Sequence, residues 1–251
     1  MLTLEKGSNG TAYPQLVKVG NNAQRISGSA NRLDGNTVVR AGSLLAGNDS
    51  PATSGASGAF GAAMVFVGDE ETPEGASPAF LADGAYTVAN EIRVPDTSPA
   101  SAVPVLGGTS NADGAVFSGA VSLRRDVAFM AGDGATVTFT GAITGLQGVS
   151  KRGGGRVRIV GDVALGGDFS WTGGTLEVDG SVTVPAGATI TVDESLCTNE
   201  NKGMVFDVLC ATGGINGRFE CLQELPAPWC LIQKSGKIQL VVMRGMRITI
   251  K

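Results

Sequence analysis

Histidine is absent from the 251 residues. That removes the commonest general base and the commonest transition-metal ligand, and with them any Ser-His or Cys-His nucleophile pair. Aromatic residues make up 5% of the chain and charged residues 17%. Leu, Glu, Lys and Arg are scarce, and no window sustains a 3.6-residue apolar pattern, so a helical protein is excluded. No apolar run approaches 18 residues, so nothing here spans a bilayer as a helix. The net charge is −4 and the basic residues are scattered. The basic face that nucleic-acid binding requires is missing. The N-terminus has neither the apolar core nor the cleavage site of a signal peptide. Strand signals begin at once with Leu2-Thr3-Leu4, as in a piece cut from a repeat array, so a longer parent polypeptide is expected.

What the chain has is glycine, 38 residues of it, about twice the usual share. Between Ala115 and Val192 short runs of Val, Ile, Leu, Thr and Phe alternate with Gly, Asp and Asn, which are strand and turn signals. The runs recur. Phe117, Val137, Val157 and Leu176 lie 20, 20 and 19 apart; Phe129, Val149 and Phe169 lie 20 and 20 apart, with Ile190 at 21; Ile143, Val163 and Val182 lie 20 and 19 apart. A fixed period near 20 with several strands per unit predicts an all-β fold, a right-handed parallel β-helix in which each turn stacks on the last. Residues 1–195 form the repeat region. After Val192 the texture changes, and 196–251 read as a C-terminal β-strand cap with strands at 204–210, 217–221, 228–233, 237–243 and 246–251. Such a cap covers the open end of a solenoid.

Several groups are candidates for chemistry. Asp162, Asp168, Glu177 and Asp179 lie near Arg156 and Arg158. Alternation puts the two arginines on one strand face, with Glu177 one turn beyond Arg158 as a ladder partner. The bland reading is a surface ion pair. Trp171 shares a face with Phe169; an exposed tryptophan stacks on sugar rings, but packing inward at a corner is the commoner outcome. Trp171, Arg156, Arg158 and Glu177 are the carbohydrate-contact candidates. The acidic loop 68–79, with Asp69, Glu70, Glu71 and Glu74, matches no calcium-loop spacing and reads as a solvated loop. Residues 51–60 read as a loop between turns. The glycine runs at 153–155 and 166–167 lack the context of a phosphate loop.

The four cysteines, Cys197, Cys210, Cys221 and Cys230, form no C-x-x-C pair. They are either small buried residues or, in an oxidising compartment, a source of one disulfide. Cys221 and Cys230 flank a segment with two prolines and are the pair placed to bridge. Cys210 is expected inside, in register with Phe206 and Val208.

Asn36-Thr37-Val38-Val39, Ala41-Gly42-Ser43-Leu44 and Gly58-Ala59-Phe60-Gly61 follow in order, and a second segment runs Gly148-Val149-Ser150-Lys151-Arg152-Gly153-Gly154-Gly155-Arg156-Val157-Arg158-Ile159. Over roughly residues 1–180 the chain resembles the autotransporter-associated β-strand repeat of bacterial surface proteins, with Arg156 and Arg158 where that family usually has Thr. Leu225-Pro226-Ala227-Pro228-Trp229 is similar to endings found after such arrays. The resemblance implies a passenger-type segment of an exported bacterial protein, at the cell surface or secreted, and associated with the outer membrane through its parent. The expectation is a non-catalytic structural or adhesive module without cofactor or metal, whose partners are glycans or surface proteins. The alternative is a carbohydrate-binding or carbohydrate-active β-helix.

Overall fold

The computed structural model describes residues 1–5, 15–33, 35–51, 53, 55–201, 203–221 and 223–242. Among these the structure is nearly all β, and the one helical element is a 3-10 turn over Glu194–Leu196. The strands collect into three long sheets and one short one. The first sheet holds Leu2–Glu5, Gln15–Lys18, Thr37–Val39, Val65–Val67, Ile92–Val94, Val121–Leu123 and Ile143–Thr144. The second runs from Ala23–Ile26 through Ser43–Ala46, Ala79–Ala82, Val105–Gly108, Val127–Ala131, Val149–Arg152 and Phe169–Trp171 to Ile190–Val192. The third takes Thr87–Val88, Ala115–Phe117, Thr136–Phe139, Arg156–Val160, Thr175–Asp179, Val205–Ala211, Lys237–Val242 and Trp229–Lys234. Val163–Ala164, Ser181–Thr183 and Gly214–Asn216 form the fourth.

From Ala79 onward the chain visits the second sheet, then the third, then the first or fourth, and begins again. Each return pairs in parallel with the strand of the previous circuit. Antiparallel strand pairs occur, among the described residues, only at the two ends. This path is consistent with the stacked solenoid expected from the period.

Alternation sorts side chains in and out of the coil. In Thr136–Phe139 the two threonines are half-buried while Val137 and Phe139 are buried, and the pattern repeats in Thr175–Asp179. Two inward columns result on the third sheet. One is Ala115, Val137, Val157, Leu176, Leu209; the other is Val88, Phe117, Phe139, Ile159, Val178, Ala211. Phe117 therefore stacks on Phe139, not on Val137 as the spacing of 20 suggested. Phe129 likewise faces Lys151, and Val127 takes the place on Val149. Both circuits take 22 residues. A slip of two leaves a side chain on the same face, so the buried set was predicted correctly while the partners were wrong. Val163 pairs with Val182 as expected, but Ile143 ends the first sheet and pairs with Val121.

The core is one continuous cluster running from Val39 to Leu240 and crossing residue 195, so the cap shares the coil's interior. Its aromatic spine is Phe60, Phe80, Phe117 and Phe139, with centroids 5.2, 6.0 and 4.8 Å apart. Phe60 is fully buried although it ends the segment read as a loop; Ser50 Oγ accepts its N–H at 3.1 Å.

In the cap, Val205–Ala211 adds in parallel to Thr175–Asp179 and in antiparallel to Lys237–Val242, which pairs with Trp229–Lys234. A register shift between Asp207 and Leu209 moves the inward positions from Phe206 and Val208 to Leu209 and Ala211. Cys210 is thus turned to the outer face, half-buried beside Glu177 and Lys237, and not inside with Phe206 and Val208. A bulge inserts one residue and flips every side chain beyond it. Trp229 is buried, its ring 6.2 Å from that of Phe206. Two glutamines close exposed strand edges. Gln223 accepts the N–H of Val192 and donates to its carbonyl, both at 2.9 Å; Gln233 accepts from Phe219 N at 3.3 Å and donates to Gly217 O at 2.8 Å. Each amide mimics the strand that is not there. The expected strand at 246–251 lies outside the described residues.

Replacing Phe117 by Ala opens a void between two stacked circuits. The expected cost is about 3–5 kcal/mol, read as a lower denaturation midpoint in guanidinium chloride. A loss below ~1 kcal/mol would show that the spine does not hold the circuits together.

Candidate functional site

The polar residues fall into four groups, and three of them join one circuit to the next. The first group is aspartates at turns. Each places Oδ1 on the backbone N–H of the following circuit: Asp49 on Thr87 at 2.7 Å, Asp113 on Thr136 at 2.9 Å, Asp126 on Gly148 at 2.8 Å, Asp133 on Gly154 at 3.0 Å, Asp162 on Ser181 at 2.7 Å and Asp168 on Thr189 at 2.7 Å. The ladder fails at turns, and the carboxylates supply the acceptors it leaves out. The Ser181 backbone and hydroxyl hold the Asp162 carboxyl below its ordinary range, and Thr189 does the same for Asp168. Asp83 is lowered first by Thr109 and then by Asn111, two groups of the following circuit. Asp162 and Asp168, candidates for chemistry, are therefore fasteners.

The second group is a pair of buried lysines. Lys151 occupies an inward position between Phe129 and Trp171 and is 0% exposed. Its Nζ donates to the carbonyls of Arg152 at 2.8 Å, Gly153 at 2.7 Å and Gly173 at 3.1 Å. Lys18, also 0% exposed, repeats the arrangement on Val19 at 3.0 Å, Gly20 at 2.6 Å and Ala41 at 2.9 Å. Both sit in Lys-x-Gly, with the glycine at φ 74°. The next circuit brings a second glycine with positive φ, Gly42 or Gly174, and a Cβ on Gly174 would stand 2.6 Å from the Lys151 Nζ. Burial pushes the Lys151 ammonium down to about 8, with Asp133 opposing the shift, and burial lowers Lys18 as well. These are internal cations at corners of the coil, each closing three carbonyls.

The third group is the outer face of the third sheet. Arg158 and Glu177 are ladder partners, as their spacing predicted, and Arg156 stands beside Thr175. Glu177 takes Arg156 at 3.1 Å and Arg158 at 3.6 Å; Arg158 also meets Asp179 at 2.8 Å. The network spans two circuits and is partly exposed. Isolated surface pairs of this kind contribute about 0–1 kcal/mol. Cys210 follows Glu177 in the same column. Burial, then Asp207, raises its thiol.

Trp171 is not available to a sugar. It is 1% exposed, faces inward above Lys151, and donates Nε1–H to Gly174 O at 2.7 Å. Its share in the inward register with Phe169 decides this. An outer groove of about 600 Å3 lies beside it, between Thr172–Thr175 and the Val205–Asp207 end of the cap strand.

All four cysteines are free, including Cys221 and Cys230. The strand holding Cys230 pairs with Lys237–Val242, whereas Glu220 bridges to Thr189, so the segments flanking the prolines do not pair with each other. In the acidic loop Arg40 takes Asp69 and Glu71, each at 2.7 Å, and Glu74 accepts from Ser101 at 2.5 Å. Among the described residues no cluster of His, Cys, Asp or Glu is arranged to hold a metal ion, and no helix is long and apolar enough to cross a membrane.

The fourth group, on the outer face of the first sheet, is taken up below. Comparison with family models, with characterised proteins and with solved structures returns no match to this chain. The aspartate clamps and lysine cages were not anticipated from the sequence. The signals were there in the recurring turn aspartates and the two Lys-x-Gly triplets, but a carboxylate near an arginine looks the same whether it holds a ligand or an amide.

Two outcomes follow. Lys151→Met keeps the apolar stem and removes the ammonium, leaving three carbonyls short of a donor. A loss of at least about 1–3 kcal/mol is expected in equilibrium denaturation. For Asp83, Asp162 and Asp168 the folded pKa lies below the unfolded one, so the unfolded chain binds more protons between the two values and stability rises with pH there. Their contribution is complete above about pH 4 and is lost as pH falls through the lowered values. Thermal melts from pH 5 to pH 2 should show the midpoint falling, and less steeply in the double variant Asp162→Asn, Asp168→Asn. Equal slopes would mean that the clamps add nothing.

Proposed function

We propose that the chain is a right-handed parallel β-helix serving as a structural, partner-presenting segment of an exported bacterial surface protein, without catalysis of its own. The handedness follows from the strong preference of parallel strand–crossover–strand connections for the right-handed path. One observation carries the functional reading. Its turn aspartates and buried lysines fasten circuit to circuit. Such a chain gains length and rigidity by repetition, and its outer faces stay flat and regular. The resemblance to the autotransporter-associated repeat supports the same reading from a different side. In its longer matching segment the lysine, Lys151, is the one whose ammonium ties two circuits together, a role any stacked repeat can reuse.

In this reading the module sits at the cell surface, or is secreted, through the outer-membrane anchorage of its parent. It presents its faces to glycans or to proteins of other surfaces. Antibodies raised against the chain should label intact cells of the source bacterium, and brief protease treatment of those cells should abolish the signal. Labelling only after lysis would overturn the assignment.

A further inference from the structure

The outer face of the first sheet carries a groove that the proposed structural role does not use. Its floor is a ladder of outward side chains from successive circuits: Phe66 pairs with Arg93, and Arg93 with Ser122. Thr144 continues the row beyond Ser122. Val38, one strand before Phe66, is buried; Phe66 is half-buried, and Arg93 is exposed. The groove therefore opens at the phenylalanine. Its wall is the segment Val94–Thr97 with Arg124 above it, and together they enclose about 450 Å3.

The wall is built in advance. Arg125 reaches back to the loop that follows it and donates to the carbonyls of Ser98 at 2.8 Å, Pro99 at 2.8 Å, Ala100 at 3.1 Å and Ala102 at 2.6 Å. A pre-organised wall lowers the ordering cost of binding. The chemistry inside is mixed. Arg93 is held through Nε by Glu91 at 2.8 Å, which points its guanidinium and leaves further N–H donors. The side chains of Arg124 and Asp96 make no hydrogen bond or ion pair with other described residues. Two guanidinium groups and two carboxylates balance in charge, so the groove favours neither an anion nor a cation. It offers one apolar ring face, donors in fixed forks, and carboxylate acceptors.

We propose that this groove binds a neutral oligosaccharide laid along the coil, one ring on Phe66 and its hydroxyls shared between Asp96, Arg93 and Arg124. A hydroxyl both donates and accepts, so a pyranose edge satisfies carboxylate and guanidinium together, while its C–H face covers the aromatic ring. The ladder repeats about every 4.8 Å, close to the length of one sugar unit in an extended chain, so Ser122 and Thr144 continue the site over further rings. This site lies away from Trp171, Arg156, Arg158 and Glu177, and it stands independently of the surface-module reading.

The test titrates the full chain with cellohexaose, xylohexaose, mannohexaose and laminarihexaose, and with hexagalacturonate as the anionic comparison, by isothermal calorimetry. At least one neutral probe should bind. Phe66→Ala and Asp96→Ala should each weaken it by about tenfold or more, and Arg158→Ala on the third sheet should leave it unchanged. Asp96 lies on the exposed wall, so its variant retains the fold and carries the test if Phe66→Ala does not. Failure of every neutral probe, binding of hexagalacturonate alone, or neutral binding undiminished in Asp96→Ala would each overturn the proposal.

Discussion

The backbone ladder between one circuit and the next governs everything else in this protein. Its hydrogen bonds run along the stack, so the partner of any strand residue lies a whole circuit away, and no circuit buries its apolar face alone. What must be conserved from circuit to circuit is therefore the position of the strands, not the length of the chain between them. Val157 and Leu176 are 19 residues apart, and Leu176 and Leu209 are 33 apart, yet both are direct partners. The additional length before Leu209 holds the 3-10 turn at Glu194–Leu196 and stays out of the column.

Turns are where a ladder of this kind runs short of partners. The protein answers with two complementary devices. Carboxylates at the turn surface accept backbone N–H groups from the next circuit, and ammonium groups inside the corners donate to carbonyls. The lysines are the more costly choice, since a buried charge loses several kcal/mol of hydration. Three carbonyls around each Nζ offset that loss, which is why both lysines sit where a positive-φ glycine turns its carbonyl inward.

Much of this was legible before any coordinates. The apolar period and the inward face of nearly every strand in 115–192 follow from alternation and turn residues, and so does the Arg158–Glu177 ladder pair. Registry within the period was not legible, because spacing counts residues and cannot count the two that a turn absorbs between Phe117 and Phe139. Nor does sequence show a bulge, so Cys210 was put on the wrong face. The free cysteines have the same origin: the turn at the prolines was visible, but Glu220 had already been taken by Thr189 of the coil. Trp171 was assigned to a sugar on its chemistry, and only its place above Lys151 shows that it fills a corner. The Phe66 groove was missed altogether, since its floor is drawn from residues 27 and 29 apart in sequence, outside the regular period.

The glutamine plugs give the stack a direction. Backbone donors and acceptors at Val192, Gly217 and Phe219 are occupied by side-chain amides, so that end offers no template to an incoming strand. A coil terminated in this way is free to vary in the number of its circuits without altering how it stops. Duplicating or deleting one whole circuit between Ala79 and Val192 changes reach alone and leaves the terminator intact. Length then becomes a quantity that evolution, or an engineer, adjusts in whole steps.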